Sequence, residues 1–203
     1  YIIAEIGSNH NGDMSLAREM IAAAKECGCD AVKFQSWTPS SLICNAEYNR
    51  NQKYYDSPKK HFGSLRDMCE KYYLRKEQHY ELFEYCKQVG IEFCSSHFSR
   101  AEADILSSIG VKFFKIASMD INNYELLKYT AAKKIPIVLS TGMATLAEID
   151  SAVRLIEKQN NVEIILLHCI SLYPPVHKDV NLYNIPMLTQ SFGYPVGFSD
   201  HSN

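Results

Sequence analysis

The chain has 203 residues, with 21 Lys+Arg against 23 Asp+Glu, a formal charge of −2, 46% hydrophobic and 22% charged residues. This balance excludes a disordered chain, and without a basic run or an apolar stretch of about 20 residues it gives no footing for nucleic acid or a membrane span. The length suits one large domain with a substantial core. The seven cysteines, at positions 27, 29, 44, 69, 86, 94 and 169, form no Cys-x-x-Cys pair. Several lie in apolar patterns, which fits small hydrophobic roles in a reducing, cytoplasmic setting.

Residues 1–7 form an apolar run that reads as a buried strand ended by glycine. The chain opens without Met inside that strand, so residues upstream are expected. Asp13 and Ser15 offer N-cap oxygens to a helix with Leu16, Met20, Ile21 and Ala24 on one face, closed by Gly28. Residues 31–35 are the next strand, which completes a strand–helix–strand unit with parallel strands. Residues 36–75 depart from the repeat. This insertion holds Trp37, Tyr48, Tyr54, Tyr55 and Phe62 with a short helical pattern near 64–72, and suits either a lid or a decorated surface loop. Strands then follow at 91–95, 111–117, 137–140, 163–169 and 196–198, with helices at 100–109, 124–133 and 145–158 between them.

Seven parallel-type strands leave a doubly wound sheet or a (β/α)8 TIM barrel. No Gly-x-Gly-x-x-Gly loop follows the first strand, which argues against a dinucleotide-binding sheet. Polar residues recur where the strands end: Glu5; Lys33 and Gln35; Ser95 and Ser96; Lys115, Ser118 and Asp120; Ser140 and Thr141; His168 and Ser171; Ser199, Asp200 and His201. A barrel gathers such ends into one bowl, where active sites of this fold sit. The expectation is therefore a single TIM-barrel domain over residues 1–203, incomplete because only seven strands are present and a fragment or ordered part of a longer protein is implied.

Within that bowl, Lys33 and Lys115 beside hydroxyls suit a phosphate or carboxylate, with Ser95, Ser96, Ser118, Ser140 and Thr141 as donors. Glu5 is a carboxylate in an otherwise apolar strand and costly to place there without a cation or metal partner. Asp120 is the second acid, or else a cap for the helix that starts near residue 124. His201, next to a carboxylate at a strand end, is the best metal ligand. His168 in Leu-Leu-His-Cys reads as a hydrogen-bonded core histidine, and His10 either contacts ligand or shapes the first loop. His61, His79, His97 and His177 carry no distinctive context.

Six motifs, in order, resemble the N-acetylneuraminate (sialic acid) synthase family. They are Ala4-Glu-Ile-Gly-Ser-Asn-His-Asn-Gly-Asp13, Ala31-Val-Lys-Phe-Gln35, Phe114-Lys-Ile-Ala-Ser118 with Asn122-Asn123, Leu139-Ser-Thr-Gly-Met143, Leu167-His-Cys169 with Tyr173-Pro174, and Gly197-Phe-Ser-Asp-His201. The resemblance implies a barrel that condenses phosphoenolpyruvate with an N-acylated hexose such as N-acetylmannosamine, giving a nine-carbon 2-keto sugar acid and phosphate. It implies that Lys33, Ser96, Lys115, Ser118, Ser140 and Ser199 hold phosphoenolpyruvate, while Gln35, Asp120 and Tyr173 surround the sugar. Glu5 matches an acid near the reacting centre, and His201 a ligand of a divalent ion, Mn2+ or Mg2+. Ser171 stands where some members have Asn, and Asp120 where some have Glu, so both bear on sugar recognition. The family also implies a second metal-binding His on an eighth strand. Its C-terminal antifreeze-like domain reaches over a partner's active site in a homodimer.

Two rivals remain at this level. A Schiff-base aldolase would use Lys115 as nucleophile. A non-catalytic barrel would bind sugar phosphates without releasing phosphate. The favoured reading requires Glu5, Lys33, Lys115 and His201 to serve one cavity.

Overall fold

The computed structural model describes residues 1–50, 63–159 and 162–202, and strand and helix alternate in it except between the second and third strands, where helices follow one another. The chain divides into two units, Tyr1–Val111 and Lys112–Asn203.

In the first unit, β1 (Ile3–Gly7), β2 (Ala31–Ser36) and β3 (Glu92–His97) pair in parallel. Glu5 stands opposite Lys33, Lys33 opposite Cys94, and Gln35 opposite Ser96. Crossover helix α1 (Met14–Glu26) is capped by Asp13, whose carboxylate accepts the Ser15 and Leu16 amides at 2.8 and 3.3 Å. Its buried face is Ala17, Ile21 and Ala24, while Leu16 and Met20 are half-buried beside it. The expected stripe is thus rotated by one position toward Ala17, where a small side chain lets the helix approach its neighbours closely.

Between β2 and β3 lie α2 (Asn45–Arg50), α3 (Leu65–Tyr72) and α4 (Lys76–Val89), and α5 (Arg100–Ile109) follows β3. A capping box fixes the start of α3: Ser64 Oγ accepts the Asp67 amide and the Asp67 carboxylate accepts the Ser64 amide. The sequence does not single out α4. Only His79, Leu82 and Cys86 are buried along its 14 residues, too sparse a stripe to stand out. Trp37, 2% exposed, belongs to the core and not to an aromatic lid. Tyr54, Tyr55, His61 and Phe62 lie outside the described residues.

The second unit holds β4 (Phe114–Ile116), a 3-10 turn (Ser118–Asp120), α6 (Tyr124–Ala131), β5 (Ile137–Ser140), α7 (Leu146–Glu157) and β6 (Ile164–Cys169). A second 3-10 turn (His177–Asp179), α8 (Asn184–Phe192) and β7 (Val196–Ser199) complete it. All four strands run parallel in chain order, with Lys115 opposite Val138, Ser140 opposite Leu167 and Cys169 opposite Ser199. Phe114, Ile116, Ile137 and Leu139 are fully buried; such side chains contribute about 1.5–3 kcal/mol each. β4 is shorter than the apolar run 111–117, because the chain breaks into the 3-10 turn at Ser118. α8 has one buried residue, Leu188, which is why no periodic stripe announces it. Among the described residues no helix is long and apolar enough to cross a membrane.

Candidate active site

In the first unit, alternation along β2 sends Lys33 and Gln35 to one face of the sheet and Phe34 and Ser36 to the other. On the Lys33 face, its ammonium pairs with the Glu5 carboxylate and donates to Ser96 Oγ at 3.4 Å. The ladder is irregular between Glu5 and Gly7, and Gly7 takes φ 55°. A Cβ on Gly7 would come within 2.9 Å of Glu5 Oε1 and 3.4 Å of Gln35 Nε2, so the bare glycine lets both side chains lie across the end of β1. Glu5, Lys33, Gln35 and Ser96 therefore form one polar group.

Ser95 does not join them. Its hydroxyl lies 2.7 Å from Ser36 Oγ, which lies 2.7 Å from His79 Nε2 on α4. His79 Nδ1 is 2.8 Å from the Arg75 carbonyl, which can only accept, so Nδ1 carries the proton and Nε2 accepts from Ser36. Burial pushes the His79 pKa down, in keeping with a neutral ring. Ser95 is thus removed from the expected anion cradle: it braces β3 to α4. His10 shapes the first loop through one nitrogen, while its buried Nε2 has no hydrogen-bond partner among the described residues. Its Nδ1 accepts the Gly12 amide at 3.1 Å, and its buried ring lies 6.0 Å from Phe34, the side of the sheet away from Lys33.

In the second unit Lys115 is 4% exposed and donates to the Ile116 carbonyl at 2.7 Å and to Ser140 Oγ at 2.5 Å. Ser118 Oγ accepts the Gly142 amide at 3.2 Å and lies 3.1 Å from Cys169 Sγ. Ser171 stands close by, its Oγ 2.9 Å from where a Cβ on Gly142 would be. Thr141, a second expected donor, is committed elsewhere: its hydroxyl and its amide both donate to the Leu167 carbonyl, at 3.0 and 3.1 Å, and stitch the end of β5 to β6.

Asp120 is 7% exposed. Asn123 Nδ2 donates to its Oδ1 at 3.2 Å, and its Oδ2 has no hydrogen-bond partner among the described residues. Burial raises its pKa, which favours the protonated acid. The cap of α6 is Asn123, whose Oδ1 accepts the Leu126 amide at 3.3 Å, so the capping alternative for Asp120 falls away. Farther along, the Tyr173 and His201 rings lie 4.4 Å apart, and His201 Nε2 is 3.4 Å from Ser199 Oγ. His168 is the core histidine that its context suggests: it stacks on Phe198 and its Nε2 donates to the Val180 carbonyl at 2.6 Å. Asp200 turns back to accept the Ser202 amide at 2.9 Å.

Among the described residues no three His, Cys, Asp or Glu side chains gather as metal ligands do. His201 alone does not make a metal centre. Gly142 and Cys169, which lie in the quoted motifs without a role of their own, sit among the hydroxyls of Ser118 and Ser171. The signals for them are those motifs and a glycine placed directly after the Ser-Thr pair that ends a strand.

The strands of this parallel β/α chain end in polar groups: Lys33 with Glu5 and Ser96 in the first unit, Lys115 with Ser140 in the second. The sequence profile of the NeuB family matches residues 20–203, and the chain belongs to that family. The N,N'-diacetyllegionaminic acid synthase of Legionella pneumophila is 41% identical over 210 residues, which take in 100% of this chain and 57% of that protein. The pseudaminic acid synthase of Helicobacter pylori is 37% identical over 207 residues, 99% of this chain and 58% of that protein. The crystal structure of N-acetylneuraminic acid (sialic acid) synthetase from Leptospira borgpetersenii, in complex with citrate, is similar at TM-score 0.85 and 34% identity over 100% of this chain and 65% of that one. The resemblance read from the six motifs is borne out, as is the (β/α)8 class with seven strands in this chain. The chain spans a little over half the length of these curated relatives.

Proposed function

We propose that this chain carries the condensing barrel of a synthase that joins phosphoenolpyruvate to the open-chain form of an N-acylated hexosamine. The products are a nine-carbon 2-keto sugar acid and inorganic phosphate. The observation that carries the reading is the Lys115–Ser140 pair: a buried cation with a hydroxyl 2.5 Å away, one strand from Ser118, in a member of the NeuB family. A cation and hydroxyls fixed in a site of low dielectric are suited to an anion that keeps its charge throughout a reaction.

The steps balance as follows. C3 of phosphoenolpyruvate forms the new bond to the aldehyde carbon, and the aldehyde oxygen takes a proton, for which the buried Asp120 acid is the donor. Water adds to the electron-poor C2 and gives its proton to Glu5, which Lys33 orients. The tetrahedral centre then breaks its C–O bond to phosphate, and the departing phosphate takes the hydroxyl proton as the ketone forms. Lys115, Ser118, Ser140 and Ser199 serve the phosphate and carboxylate; Gln35, Ser171 and Tyr173 serve the sugar. His201 is the residue this chain would offer to a divalent ion, Mn2+ or Mg2+, and no step above depends on one. A cytoplasmic homodimer belongs to the same proposal.

Phosphoenolpyruvate labelled at its bridging oxygen tests the reading in the complete gene product. The label is expected in the released phosphate; label kept in the sugar acid rejects C–O cleavage. Borohydride trapping of a pyruvate adduct on Lys115 would replace this mechanism with a Schiff-base aldolase. Phosphate release across a panel of acylated hexoses then identifies the sugar.

A further inference from the structure

Gly142 lies where the chain leaves β5 and passes the end of β6. A Cβ built on it would meet the Cys169 carbonyl oxygen at 2.7 Å, Cys169 Sγ at 2.8 Å and Ser171 Oγ at 2.9 Å. Real Cβ atoms essentially never approach heavy atoms that closely, so the position demands glycine for space. The same closeness brings the Gly142 amide to Ser118 Oγ, where it donates at 3.2 Å. The other neighbour of that hydroxyl is Cys169 Sγ at 3.1 Å, and the Cys169 thiol itself faces the Leu167 carbonyl at 3.8 Å.

This arrangement has a chemical consequence. The amide occupies one lone pair of Ser118 Oγ and so turns its single hydrogen away from residue 142. Its neighbour there is Cys169 Sγ, and between a hydroxyl and a thiol either can donate, weakly, so the Ser118 hydrogen is not held firmly. A hydrogen bond to a charged oxygen is about twice as strong as one between neutral groups, so an anion takes that hydrogen at little cost. Resting on the phosphoenolpyruvate reading above, we infer that Gly142 is a positioning residue for that substrate. Its amide aims the Ser118 hydroxyl at the substrate's anionic oxygens. Its missing side chain lets the end of β6 close in so that Cys169 and Ser171 stand beside it. Gly142 and Cys169 also line a cavity of about 370 Å3 bounded by Thr145, Ile149 and Leu188. Alanine at 142 has to push the Cys169 carbonyl, and with it the end of β6, away from Ser118.

The test is a double-mutant cycle in the complete gene product with phosphoenolpyruvate and the sugar varied separately. Ser118→Ala and Gly142→Ala are each expected to raise KM for phosphoenolpyruvate about tenfold, to leave the KM for the sugar unmoved, and to do no more together than about twofold beyond the larger single effect. Effects that multiply to about a hundredfold would show that Gly142 does not act through Ser118 and would overturn the inference. So would a Gly142→Ala protein that loses only kcat and thermal stability. A Ser118→Ala protein with unchanged KM would instead defeat the assignment of Ser118 to phosphoenolpyruvate. Should Gly142→Ala not fold, glycine-selective 15N spectra decide. The Gly142 amide resonance is expected to move on adding phosphoenolpyruvate to the wild type and not to Ser118→Ala; a wild-type resonance that stays still overturns the inference.

Discussion

Lys33 and Lys115 hold matching places, each on a parallel strand and each beside a serine, yet their surroundings differ in kind. Lys33 is paired with the partly exposed Glu5 and reaches Ser96 at a long 3.4 Å. Lys115 is 4% exposed and bonded tightly to a carbonyl and to Ser140. An ion pair at a solvent-facing strand end is worth little energetically, but it orients a carboxylate. A buried ammonium, in surroundings of low dielectric, acts far more strongly on a neighbouring charge than one at a strand end open to water. The first unit thus holds an oriented carboxylate–ammonium pair, the second a buried ammonium–hydroxyl pair.

The largest expected effect breaks the second region. Lys115→Met should lower kcat/KM for phosphoenolpyruvate by about 10²–10³-fold, in line with the removal of a single preorganised stabilising group. Phosphate release measures it. The corresponding Lys33→Met change should cost clearly less; equal losses would erase the distinction. Glu5→Gln comes next, with kcat down by about 10²-fold and KM for phosphoenolpyruvate nearly unchanged, as removal of a general base predicts. A rise in KM alone would make Glu5 a binding residue.

Asp120 sharpens the comparison through pH. Its folded-state pKa is raised, chiefly by burial, with the Asn123 hydrogen bond opposing. The folded protein therefore holds this proton more tightly than the unfolded chain does. Its contribution to stability is complete below the ordinary aspartate range and is lost as pH rises through the raised value. Asp120→Asn should flatten the fall in Tm across that window while lowering kcat by about tenfold or more. Parallel Tm curves for the two proteins would show that burial of the acid has no thermodynamic consequence.

Much of this was readable in the sequence because it is local. Asp13, Ser64 and Thr145 cap the helices that follow them through bonds spanning two or three residues, and the alternation of elements follows from such punctuation. Glu5 and Lys33 stood out because charge in an apolar strand needs a partner, and they partner each other. Other features depend on tertiary geometry. Asp120 stands as a cap candidate until the turn is built and Asn123 takes that place. Nothing local shows that Gly142 lies against the carbonyl of Cys169, 27 positions away in the chain. The sparse buried stripes of α4 and α8 gave no periodic signal either.

Ser95 and Ser96 make the smallest and cleanest contrast. They are adjacent, chemically identical and both within a strand, so only the pleat separates them. Ser96 shares the Lys33 face; Ser95 bonds to Ser36 in the chain that ends on His79. Ser95→Ala should lower stability by about 1 kcal/mol, the usual net value of a lost hydrogen bond, and leave KM for phosphoenolpyruvate unchanged. Ser96→Ala, which gives up only the long 3.4 Å bond from Lys33, should cost about 0.5 kcal/mol, the low end for a lost hydrogen bond, and raise that KM a few-fold. Denaturant unfolding and steady-state kinetics on the pair read both quantities. If the two serines exchange these phenotypes, β3 runs one residue out of the register that pairs Gln35 with Ser96, and the polar group assigned to the first unit comes apart.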